Sequence, residues 1–97
     1  MDASASPNAK KIIVTHELGL HARPAAQVAS LAIEATSNIW VVKNDQQADA
    51  SSIIDLLTLG CTKGTEVNLR AESPADMPIL EKIAALFDHS FLTEDKN

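Results

Sequence analysis

The chain has 97 residues, room for one domain, and its 45% apolar and 22% charged content supports a packed core and excludes an intrinsically disordered chain. Eight basic side chains against thirteen acidic ones leave a net charge of −5, which argues against a partner with a phosphate backbone or an anionic membrane surface. A single cysteine, Cys61, permits neither an internal disulfide nor a Cys-based zinc cluster, and no apolar run is long enough to span a bilayer, so a cytoplasmic protein is expected.

Residues 1–10 lack periodicity and read as a flexible N-terminal arm. The β-branched run at residues 12–15 predicts a first strand that leads into a loop at Gly19. Helix formers follow, with Ala25, Val28, Leu31, Ala32 and Ala35 recurring at helical spacing, and they predict a helix over 22–36. Pro24 suits its first turn, where a missing N–H leaves no intrahelical bond unmade. Residues 39–43 form the second predicted strand, 44–47 a turn, and 48–50 a weak third strand.

Ser51 and Ser52 then precede an apolar run and Gly60, the pattern of a hydroxyl N-cap, a two-turn helix over 53–59 and a glycine stop. Residues 65–71 alternate polar and apolar, as a strand with one wet face should. Ile79, Leu80, Ile83, Leu86 and Phe87 trace a last helix to about residue 88. The order is βαββαβα, which predicts an α+β two-layer sandwich: an antiparallel four-stranded sheet with three helices on one face. The domain is expected over 11–92, with 93–97 as a C-terminal tail.

His16 and His89 stand in no constellation and read as surface or partly packed residues. His21 differs, because it follows a glycine loop and stands at the threshold of a helix. First-turn amides and the positive end of the helix dipole favour an anion there, and Arg23 adds a permanently charged donor fork. A nucleophilic imidazole beside an anion pocket, with no carboxylate base and no nucleotide loop, suggests receiving and passing on a phosphoryl group. The competing reading is a plain strand-to-helix turn whose histidine helps to cap the helix. A metal site built from His16, His21 and Cys61 lacks any ligand spacing, so neither metal nor cofactor is expected.

The segment Gly19-Leu20-His21-Ala22-Arg23-Pro24-Ala25 resembles the active-site segment of the HPr family, the histidine phosphocarriers of the phosphoenolpyruvate-dependent phosphotransferase system. Residues 52–60 resemble that family's regulatory-serine helix, and the likeness extends from Lys11 to Phe91. It implies that His21 takes a phosphoryl group on Nδ1 from enzyme I and gives it to an enzyme IIA domain. By the same resemblance Arg23 steadies the phosphoryl charge, Pro24 shapes the helical turn, and Ser52 matches a serine phosphorylated by a dedicated kinase in some branches.

The helix over 53–59 is richer in apolar residues than the roughly three in seven that a buried stripe requires. If Ile53, Leu56 and Leu59 face the sheet, Ile54 and Leu57 border solvent near His21, unless the tail at Phe91 and Leu92 covers them. Leu20, Ile53, Ile54 and Leu57 are the expected docking residues of a monomeric carrier. Where sugar-branch carriers often present basic residues around the histidine, this chain has Ser30, Ile33, Ser51 and Asp55. That departure, with Ala85-Leu86-Phe87 and the acidic Glu94-Asp95, resembles the nitrogen-related branch and offers a regulatory relay as the alternative to sugar uptake.

Overall fold

The computed structural model describes residues 8–15 and 19–87. Its elements run β1 (Ala9–Ile13), α1 (Ala22–Ala32), β2 (Ile39–Lys43), β3 (Gln46–Asp49), α2 (Ile53–Leu59), β4 (Glu66–Ala71), a 3₁₀ turn (Pro74–Asp76) and α3 (Met77–Ala85). The strands form one antiparallel sheet in the order β1-β4-β2-β3. This is the expected βαββαβα sandwich.

Register follows the two-residue period of the side chains. Ile12 lies opposite Val67, and Val41 lies opposite both Leu69 and Ala48, so the apolar set of every strand reaches the same face. Val28, Leu56, Leu80, Ile83 and Phe87 meet that face from the helices. The small Ala48 and Ala50 suit the close approach of α2 to β3.

The first strand begins earlier than the sequence suggests, so Ala9 and Lys10 belong to β1 and not to the arm. Lysines are tolerated there because β1 is a sheet edge, where a long stem lies along the rim and its ammonium reaches out. Lys10 meets Glu81 of α3 at 3.1 Å and Lys11 meets Glu66 at 3.0 Å. The third strand includes Gln46 and Gln47, because the hairpin turns on Asn44 and Asp45 alone. Asn44 takes a left-handed φ of 56°, which asparagine adopts more readily than most residues. His16, His89, Phe91 and Leu92 lie outside the described residues.

The first helix ends at Ala32, short of the expected residue 36, and its last turn tightens as Glu34 and Ala35 donate to Leu31 and Ala32. What replaces the missing turn is the carboxylate of Asp76, the only buried charged side chain among the described residues. It accepts from the Thr36 amide at 2.8 Å, the Ser37 amide at 2.9 Å and the Thr36 hydroxyl at 3.1 Å. The Thr36 amide, more than any other contact, holds this carboxyl below its ordinary value of 3.8; burial opposes it, and the Ser37 amide and Thr36 hydroxyl reinforce it. A lowered folded-state value means stability that is present above the ordinary carboxylate range and lost as pH falls through the folded value. Asp76→Asn is therefore expected to lower the melting midpoint by several degrees at pH 7, and the gap to the parent should shrink on acidification below about pH 4. Thermal unfolding at both pH values checks this, and a gap independent of pH would refute the charged role.

Candidate functional site

Backbone contacts tie the loop before α1 to the segment that follows Gly60. Gly19 has a left-handed φ of 72°, and a Cβ placed on it would stand 2.5 Å from the Cys61 carbonyl oxygen and 2.9 Å from Thr62 Cα. That proximity lets the Leu20 amide donate to the Cys61 carbonyl at 2.8 Å. A second clasp forms below it, where the Val14 amide donates to Thr65 and the Gly64 amide to Val14. Glycine is required at residue 19 both for its dihedral and for lack of space.

His21 follows as the N-cap of α1, in extended conformation with φ −104° and ψ −166°. Its carbonyl accepts the first helical bond, from Ala25 at 2.9 Å, while its ring makes no capping bond to the helix. Capping therefore does not occupy the imidazole. Pro24 lies buried in the first turn and has no N–H, so Ala22 and Arg23 carry the amides that the helix start leaves without an intrahelical acceptor. No acidic residue stands in that turn to compete for an anion. The Arg23 side chain is exposed on the same turn, at the edge of an apolar groove lined by Ala26, Leu31 and Leu86. A half-exposed imidazole at the positive end of a helix, with a guanidinium two residues on, is suited to an anionic electrophile such as a phosphoryl group.

The second helix packs against α1, and the residue after its glycine stop, Cys61, is the one whose carbonyl holds Leu20. Ser52 caps it by accepting from the Asp55 amide at 3.2 Å, and Gly60 ends it in a left-handed conformation. Leu56 and Leu59 are buried. Ile54 is 71% exposed, and Ile53 and Leu57 are each 40% exposed. Ile53 thus faces outward and does not join Leu56 and Leu59 on the sheet, because two turns of helix give only a narrow inward stripe.

Leu20 requires a correction of the opposite kind. It is 5% exposed and packs in the core, where it anchors the histidine loop from beneath and offers no surface to a partner. Ile33, at the end of α1, is 70% exposed and adds an apolar residue that sequence reasoning had read only as the loss of a basic one. Ser51 is held by Asp49, which accepts from its amide at 2.9 Å and its hydroxyl at 2.7 Å. The backbone role of Cys61 carries no signal in the sequence, since any residue type supplies a carbonyl.

The sequence and the fold are both similar to known proteins. The family model for the PTS HPr component phosphorylation site matches residues 8–89. Phosphocarrier protein HPr of Vibrio cholerae is 42% identical over 79 residues, which cover 81% of this chain and 93% of that protein. Phosphocarrier protein NPr of Escherichia coli is 34% identical over 80 residues, 80% of this chain and 88% of that one. The crystal structure of HPr from Thermoanaerobacter tengcongensis superposes with a TM-score of 0.79 at 32% identity, covering 86% of this chain and 93% of its own.

The fit of residue 19 against Cys61 leads to a stability expectation. Gly19→Ala combines a left-handed alanine with a backbone overlap, and should destabilise the fold by about 2–4 kcal/mol. Urea denaturation checks it, and a loss under about 0.5 kcal/mol would mean the loop is free to move away from Cys61.

Proposed function

The chain belongs to the HPr family, and on that footing we propose that it is a phosphocarrier that takes a phosphoryl group from phospho-enzyme I on His21 and delivers it to an enzyme IIA domain. The observation that carries the reading is the His21 ring at the start of α1, unused in capping, with an exposed Arg23 two residues on and no acid in the turn.

In the transfer step the Nδ1 lone pair of a neutral His21 attacks phosphorus, an N–P bond forms, and the N–P bond to the donor imidazole breaks. The electron pair of the broken bond stays on the donor ring, which takes up a proton, while His21 gives one up from its other nitrogen. Arg23 and the first-turn amides lower the energy of the charge on the transferring oxygens. The chain needs no acid or base of its own beyond this, and the carrier we propose is a cytoplasmic monomer.

Docking is assigned to Ile53, Ile54 and Leu57, an exposed apolar group on α2 that a partner surface would cover. A phosphate on Ser52, placed there by a serine kinase, would suit the helix start but would add charge beside that group and weaken docking. Sugar uptake is the setting favoured by the higher identity to the Vibrio cholerae HPr. Ser30, Ile33, Ser51 and Asp55 at the places of a basic ring favour the second reading, a regulatory relay.

Incubation with phosphoenolpyruvate and enzyme I should give a single acid-labile phosphoryl adduct by intact mass, and His21→Ala should give none. Equal labelling of the variant would overturn the carrier reading. Leu57→Glu is expected to leave the fold intact and to weaken association with enzyme I at least tenfold, or about 1.4 kcal/mol. Calorimetric titration reads it, and unchanged affinity would remove α2 from the docking surface.

A further inference from the structure

Lys43 ends β2, outside both the histidine loop and the docking helix, yet it touches the backbone that joins them. Its ammonium donates to the carbonyls of Leu59 and Gly60, each at 3.1 Å. These carbonyls are among those a helix C-terminus leaves without an intrahelical partner, and they lie at the negative end of its dipole. The last turn of α2 holds no basic residue of its own, so a strand distant in sequence supplies the cation. The need is sharpest at Gly60, whose left-handed φ of 70° has no side chain to lock it.

One residue further on, the Cys61 carbonyl accepts from Leu20 at 2.8 Å. The Gly60–Cys61 peptide is planar, so an ammonium that fixes the Gly60 oxygen also fixes the Cys61 nitrogen and Cα. Only the two dihedrals of Cys61 then separate Lys43 from the carbonyl that holds the histidine loop. The Cys61 thiol registers the same proximity: burial pushes it up, and the Lys43 ammonium pulls it partly back.

We infer that Lys43 is a positioning residue for His21: by clamping the exit of α2 it sets the Cys61 carbonyl that holds Leu20, and so fixes the imidazole relative to the docking helix. Its effect on transfer rests on the phosphoacceptor reading of His21, whereas its effect on the loop does not.

Two variants of the full chain test this. Lys43→Met keeps the apolar stem and removes the donors; Lys43→Arg keeps a cation with a donor fork. Amide hydrogen exchange is compared at Leu20 and at Leu69 in the central strand β4, together with phosphoryl transfer from phospho-enzyme I. Lys43→Met should speed exchange at Leu20 at least tenfold more than at Leu69, and lower the saturating transfer rate severalfold with little change in KM. Lys43→Arg should restore both. Equal acceleration at Leu20 and Leu69 would make Lys43 a general stabiliser only, and an unchanged transfer rate per folded molecule would also overturn the inference. If the parent chain accepts no phosphoryl group, the phosphoacceptor reading fails, and Leu20 exchange with the His21 ring shifts still decides whether Lys43 sets the loop.

Discussion

A backbone hydrogen bond of 2.8 Å, from the Leu20 amide to the Cys61 carbonyl, ties the histidine loop to the exit of α2. It forms only because residue 19 has no side chain, since a Cβ there would overlap the Cys61 oxygen. The start of α1 and the end of α2 are thereby joined through main chain.

The far end of α1 is held by comparable means and different chemistry. Asp76 reaches the Thr36 and Ser37 amides just beyond the helix, so α1 is fixed at one end by a carbonyl and at the other by a carboxylate. A helix pinned at both ends by distant segments has little freedom to turn about its axis. That constraint keeps Arg23 exposed while Val28 and Ala32 stay in the core.

Local chemistry made most of the fold legible. Ser52 and Gly60 bound α2 where a hydroxyl cap and a glycine stop require, and the alternation of Glu66 to Ala71 gives β4 its buried face. The placement of His21 at the start of α1 was equally readable, because a loop glycine, an N-cap and a first-turn proline are adjacent in sequence. Features that depend on distant partners were not. Nothing near Asp76 says that it crosses to Thr36, nothing near Lys43 says that it caps α2, and the short stripe of α2 leaves the outward turn of Ile53 undetermined. Leu20 looked like surface because the loop gives no periodicity, yet it is the side chain that seats the loop.

Trp40 projects from the sheet face opposite the helices, on the row of Arg70 and Asp49, with its indole N–H donating to Glu72 at 2.9 Å. It is the chain's one tryptophan, and tyrosine is absent. Fluorescence therefore comes from a single half-buried ring separated by the whole sheet from His21 and α2. Such an emitter reports the unfolding of the sheet as a whole, and a change confined to His21 or α2 leaves its surroundings as they were.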